Sequence, residues 1–189
     1  MAKILFVNPV VREEDVPRHI PYGIAMLASI AIHNGHQVQV YDANAWRKGF
    51  RVLPEVYRAD DWDVIAIGGL TTTYNFIKEA FRIAKETSPD AFLIAGGGFL
   101  TSMPKEIMEW IPEIDLGIVG EAFVTWPELL DKVDNKDLDF GTNKRPSTNH
   151  SDCCKASFKV RNLFPVPGFW NGCILKNLEL TRFLCGNLN

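Results

Sequence analysis

The amino-acid sequence predicts an α/β fold built on one parallel β-sheet, and three observations carry that prediction. Short apolar runs alternate with segments of helical periodicity from the N-terminus to about Asp134. Two of the runs, DVIAIGG (residues 63–69) and AFLIAGG (residues 91–97), are apolar without a break, as strands covered by helices on both faces must be. Helical segments stand between the strands, which makes the connections right-handed crossovers and the strands parallel.

The elements follow in order. Lys3–Asn8 is a first strand, and a polar loop, Pro9–Pro21, comes after it. Tyr22–Asn34 sets Ile24, Leu27, Ala28 and Ala31 at helical spacing, and Gly35 supplies the stop. HQVQVYD (residues 36–42) alternates polar and apolar residues, as a strand with one wet face does. After the first dry strand a helix over Asn75–Thr87 carries Phe76, Ile77, Ala80, Ile83 and Ala84. After the second, Pro104–Ile111 carries Ile107, Met108 and Ile111. LGIVG (residues 116–120) is a short fifth strand. Thr125-Trp126-Pro127-Glu128 reads as a capping box with proline in the first turn, and Val124 with Leu129 as its hydrophobic staple. The wet second strand and the short fifth suit sheet edges, and the other three suit the centre. The expected order is 2-1-3-4-5, the flavodoxin-like (Rossmann-like), doubly wound arrangement.

Past Asp134 the periodicity stops. Residues 1–134 are expected to form the domain, and 135–189, rich in polar and turn-forming residues, an irregular tail or truncated linker. All four cysteines, Cys153, Cys154, Cys173 and Cys185, fall in this tail, spaced neither as CxxC pairs nor as CxxxCxxC, and read as untethered thiols. The net charge of −3 gives no reason to expect nucleic acid or an anionic membrane as partner. No stretch approaches the length of a membrane span, and MAKILFVNP is too short and weakly charged for a secretory signal, so a cytoplasmic protein is expected.

Open parallel sheets bind ligands at the carboxyl ends of their strands, where the strand order reverses. Here that edge comprises Asn8–Val11, Gly68–Tyr74, Gly96–Thr101 and Gly120–Ala122, all rich in glycine or small hydroxyl residues. Thr71, Thr72 and Thr73 stand at a helix start, where unpaired N–H groups favour an anion; one of them as an N-cap would be the plainer reading. Gly96-Gly97-Gly98 exceeds what one tight turn needs and suggests close approach of a bulky ligand. It is neither a P-loop nor a first-strand GxGxxG. Glu121 ends the fifth strand, as a ligand contact or as ordinary helix-dipole chemistry. His19 lies in the first loop, where an imidazole could reach the edge or simply be solvated, and His33 and His36 flank a turn and read as structural. No Ser–His–Asp or Cys–His grouping and no carboxylate pair is legible. The sequence shows a binding platform without an evident catalyst.

Taken together, three segments resemble a known family: residues 4–43 (ILFVNP to VYDA), residues 63–108 (DVIAIGGLTTTYN to PKEIM) and residues 115–130 (DLGIVGEAFVTWPELL). They are similar to the N-terminal cobalamin-binding domain of cobalamin-dependent radical S-adenosylmethionine enzymes. The shared elements are Asn8-Pro9 after strand one, Pro21-x-Gly23 opening the first helix, Gly35-His36-x-Val38, Gly68-Gly69 with the threonines, Gly96-Gly97-Gly98, and Val119-Gly120-Glu121. The resemblance covers roughly residues 3–134. It implies that a corrin ring lies on the carboxyl edge and that the cofactor's nucleotide tail threads between sheet and helices. It gives Asn8, Pro9, Tyr22, Thr71, Thr72, Thr73, Gly97, Gly98, Phe99, Gly120 and Glu121 as cofactor-binding residues, with no catalytic and no metal-ligating residue.

Two departures matter. The Asp-x-His-x-x-Gly pattern that supplies an axial histidine elsewhere survives only as Asp15-x-x-x-His19-x-x-x-Gly23, so no protein histidine is expected on cobalt. The chain also carries no CxxxCxxC, although RNLFPVPGFW (residues 161–170) resembles the family's linker into its catalytic barrel. The iron–sulfur cluster and S-adenosylmethionine are therefore expected only in a full-length relative, with a radical S-adenosylmethionine domain as the implied partner, and catalysis by this chain alone is not expected. Two competing readings of the same fold exist. A flavodoxin-like flavin or nucleotide redox protein would want a Thr/Gly phosphate loop that Asn8–Arg12 lacks. A receiver-like interaction domain would want an Asp where Gly68-Gly69 stand.

Overall fold

Five strands pair in parallel in the order β2-β1-β3-β4-β5, as the exposure pattern of the sequence predicts. The structure, a computed structural model, describes residues 1–12 and 20–136. His19, Asp15, the four cysteines and nearly all of the expected tail lie outside the described residues. The strands are β1 (Lys3–Asn8), β2 (Gln37–Asp42), β3 (Val64–Gly68), β4 (Phe92–Gly96) and the two-residue β5 (Leu116–Gly117). Their register sets two rungs across one face. Phe6 pairs with Ala66 and Ala66 with Ile94; one step nearer the carboxyl ends, Gly68 pairs with Gly96.

Among the described residues seven α-helices cover the sheet: α1 (Tyr22–His33), α2 (Ala43–Trp46), α3 (Leu53–Tyr57), α4 (Tyr74–Thr87), α5 (Gly98–Ser102), α6 (Pro104–Trp110) and α7 (Thr125–Asp134). The chain between β2 and β3 was not assigned from sequence, because helices of four and five residues are too short to show a period. Alternation along the strands divides the apolar residues between two cores. Leu5, Val7, Ile65, Ile67, Leu93 and Ala95 face α3 to α6 and pack on Tyr57, Ile77, Phe81, Phe99 and Ile107. Ile4, Phe6, Val64, Ala66, Ile94 and Leu116 face α1 and α7 and pack on Ala28, Ala31, Trp126, Leu129 and Leu130.

Local chemistry sets the ends of α1. The Gly35 N–H bonds the Ile32 carbonyl at 3.0 Å and the His36 N–H bonds the Ala31 carbonyl at 3.0 Å, a Schellman closure with Gly35 at φ 84°. His36, read as structural, is buried, and its Nδ1 accepts the Ala2 N–H at 3.2 Å. The expected capping box at α7 does not form. The Trp126 N–H already reaches the Ala122 carbonyl at 2.7 Å, so the turn begins upstream and Thr125 is a helical residue rather than the cap. Val124 takes the cap position and stays 54% exposed, so it staples nothing. Among the described residues no helix is long and apolar enough to cross a membrane.

The filled core under α4 should dominate stability. Phe81 is fully buried there, whereas Arg82 on the same helix is an exposed partner of Glu79 and Glu86. Phe81→Ala should cost about 3–5 kcal/mol and Arg82→Ala about 0.5 kcal/mol or less, measured by urea unfolding.

Candidate functional site

A cleft of about 390 Å³ opens at the carboxyl edge of the sheet and runs down between the sheet and the α1/α7 layer. Its depth follows from the rungs. Strand side chains alternate between faces, so Phe6, Ala66 and Ile94 form one row on the α1/α7 face, with Gly68 and Gly96 in the row above. Ile24 and Leu27 of α1 and Trp126 of α7 wall the other side. Trp126 closes the inner end: its ring centroid lies 5.4 Å from that of Phe6, and its Nε1 donates to the Leu27 carbonyl at 3.1 Å. One indole thus ties α7 to α1 and to the sheet at once.

The cleft stays open above that point because the central strands supply no side chain there. A Cβ added at Gly96 would have no heavy atom within 4 Å. Gly97 is different. It sits at φ 84°, ψ −173°, and a Cβ there would lie 2.9 Å from the Gly69 nitrogen and 3.0 Å from its oxygen. At Gly97 glycine is required by the backbone; at Gly96 neither the backbone nor any neighbouring atom requires it. The mouth is formed by Pro9, Val11, Pro21, Leu70, Gly120 and Glu121. Asn8 reaches the same rung as Gly68, but its Nδ2 donates to Asp42 Oδ1 at 2.7 Å and fastens the end of β1 to that of β2.

Comparison with known proteins gives the family of the chain. The B12-binding domain family matches residues 9–130. The chain belongs to that family. An uncharacterised methyltransferase of Pyrococcus horikoshii is 31% identical over 139 residues, which is 69% of this chain and 29% of the relative. Among solved structures, the radical S-adenosylmethionine methyltransferase TsrM from Kitasatospora setae, with cobalamin and a 4Fe–4S cluster bound, superposes with a TM-score of 0.64 at 18% identity, covering 74% of this chain and 26% of that one. The cobalamin-dependent S-adenosylmethionine radical enzyme OxsB, with aqua-cobalamin and S-adenosylmethionine bound, gives a TM-score of 0.61 at 15% identity, covering 74% and 19%. The chain spans less than a third of the length of each of these relatives. Neither the flavin-binding nor the receiver-like alternative is favoured.

Within this B12-binding domain the residues singled out from sequence fall into two groups. Asn8, Pro9, Thr73, Gly97, Gly120 and Glu121 line the cleft. Tyr22, Thr71, Thr72 and Gly98 stand exposed at the carboxyl edge outside the lining, and Phe99 is fully buried in the opposite core under α5. The threonines form a 3₁₀ turn ahead of α4. Thr73 is buried and its hydroxyl donates to the Leu70 carbonyl at 2.7 Å, so it does not cap the helix. Gly120, at φ 80°, donates its N–H to the Thr101 hydroxyl at 3.0 Å. Of the other lining residues, sequence reasoning placed Gly68 and Gly96 at the ligand edge without naming them as contacts, and it did not single out Leu27, Ala66 or Trp126 for the cleft. The signal was present in strand parity: Ala66 and Gly68 alternate with Ile65 and Ile67, which leaves one face of β3 bare.

The two adjacent glycines should separate by experiment. Gly97→Ala should lower stability by about 1–3 kcal/mol, as a side chain in that backbone region does, and Gly96→Ala should leave the melting temperature within a few degrees of the parent. Thermal unfolding followed by circular dichroism measures both.

Proposed function

We propose that the chain holds cobalamin with its corrin ring across the carboxyl edge and its nucleotide tail down the cleft beside Gly68 and Gly96. The observation that supports this most is the pair of bare central-strand positions on one rung, with open space where the Gly96 side chain would be. The residues fit the group. A long, narrow appendage needs a floor without side chains, apolar walls for its base, and polar groups near the mouth; Phe6, Ile94 and Ile118 supply walls, and Asn8, Thr73 and Glu121 lie higher. The mouth is flanked by exposed apolar side chains, Tyr22 at 68%, Leu70 at 53% and Val124 at 54%.

Bound cobalamin would supply a cobalt centre able to carry a methyl group. The protein's part would be to seat the macrocycle at the mouth, beside Pro9, Leu70 and Glu121, and to hold the tail between Phe6, Ile94 and Ile118. Among the described residues no three His, Cys, Asp or Glu side chains are grouped to hold a metal of their own. In a longer relative the domain would present its cofactor to a radical S-adenosylmethionine domain for methyl transfer, a reading that rests on the family match and on the names of the relatives.

A spectral titration with hydroxocobalamin tests the reading. Co-elution of the cofactor with the chain and shifted cobalamin bands are expected; unchanged bands with no co-elution would overturn it. Gly96→Leu should reduce retention about tenfold or more by filling the cleft, while circular dichroism and melting stay close to those of the parent. Gly98→Leu should retain the cofactor better than Gly96→Leu, because Gly98 lies outside the cleft lining and a Cβ there makes only ordinary contacts, with the Gly69 oxygen and Leu70 at 3.6 Å.

A further inference from the structure

We infer that this domain discriminates among cobalamin-type cofactors by the base that ends the nucleotide tail, accepting benzimidazoles and disfavouring purines. The inference rests on the tail occupying the cleft. It comes from an inventory of hydrogen-bonding groups at the cleft's inner end.

That end is walled by Phe6, Leu27, Ile94, Ile118 and Trp126, with Ala66 as its floor. The only side-chain polar atom among them is Trp126 Nε1, and it is engaged by the Leu27 carbonyl. The floor lies on strands paired on both sides, β1 with β2 and β3, β3 with β1 and β4, so its backbone groups belong to the sheet ladder. Among the described residues the polar side chains lining the cleft beyond that end are Asn8, Thr73 and Glu121, nearer the mouth. Asn8 Nδ2 and the Thr73 hydroxyl donate to Asp42 and to the Leu70 carbonyl, and the acceptor oxygens of all three lie above the inner end rather than in it. Two buried polar atoms without a partner, Tyr41 Oη and Trp62 Nε1, belong to the opposite core and cannot reach the cleft.

A base seated there meets hydrocarbon and two aromatic rings. Dimethylbenzimidazole presents methyl groups and a carbocyclic edge to such a surface and gives up hydration only at its one free ring nitrogen, a loss that a purine shares. Adenine presents an exocyclic amine and two further ring nitrogens, each hydrogen-bonded in water and each left without a partner at this depth. A buried polar group deprived of its partner weakens binding by about tenfold to a hundredfold. Selectivity thus arises from rejection of the polar base, with the flat ring itself acceptable in either case.

The test uses the unaltered chain and three ligands: cobalamin, its adenine-containing analogue, and cobinamide, which lacks the nucleotide tail. Affinities are read from quenching of tryptophan emission and from co-elution. The expected result is tightest binding of cobalamin, with the adenine analogue about tenfold or more weaker and cobinamide also weak. Equal affinity for cobalamin and the adenine analogue, with cobinamide weak, would overturn the base selectivity while leaving the tail in the cleft. Cobinamide binding as tightly as cobalamin would overturn the placement of the tail, and the selectivity with it.

Discussion

The alternation of side chains along a strand is the constraint on which the cleft depends. A strand buried on both faces must fill both, and here β3 and β4 fill them unequally. Ile65, Ile67, Leu93 and Ala95 point into the core under α3 to α6, while Ala66, Gly68 and Gly96 point toward α1 and α7. Because β3 and β4 are paired in register, the two glycines fall side by side. They are not equivalent: a Cβ at Gly68 would lie 3.0 Å from the Gly96 carbonyl oxygen, so close strand approach accounts for Gly68, whereas at Gly96 the space is open and the groove begins. A register slip of one residue would carry Ile67 and Ala95 to that face and close it.

The two sides of the sheet consequently do different work. On one, Tyr57, Phe81 and Phe99 are fully buried, and the Tyr57 hydroxyl donates to the Ala80 carbonyl at 3.1 Å, so that side carries the stability of the domain. Burial there pushes the Tyr57 phenol well above its ordinary range, and it stays a neutral donor. On the other side the layer must stand off the sheet near its mouth and still be held. Trp126 achieves this by touching Phe6 and bonding to α1 at the inner end, while Ala28 and Ala31, both small, let α1 approach the sheet below. The layer is pinned at its base and open at its top.

Much of this was legible in the sequence. Apolar runs and periodicity located the five strands and helices α1, α4 and α6, the Thr125–Glu128 motif marked the start of α7 although its capping box does not form, and the wet HQVQVYD and the short LGIVG marked the edge strands. The short helices α2, α3 and α5 escaped because a single turn shows no period. For the cleft, glycine-rich loops pointed to the correct edge but drew attention to the loop itself. Gly97 is conspicuous in AGGGF, yet the structure explains it by its own backbone; Gly96, inside the strand, is what leaves space. Phe99, beside the glycines in sequence, turns into the other core because α5 begins immediately. Leu27 and Trp126 were hidden for another reason. They are about a hundred residues apart, and only the fold shows that an indole N–H crosses from one helix to the other.

The same Trp126 joins the stability of the fold to the chemistry of the cleft. A cleft lined by apolar side chains would gain most by collapsing, since each exposed apolar square ångström costs about 25 cal/mol. Collapse requires α1 or α7 to move inward as a unit, and the indole opposes this as a spacer: its ring already fills the distance to Phe6, and its N–H fixes the Leu27 carbonyl in place. Engaging that N–H also removes the last polar side-chain group from the inner wall. The bond that keeps the groove open is therefore the one that makes its end purely apolar, and the shape of the site and its chemistry cannot be altered independently.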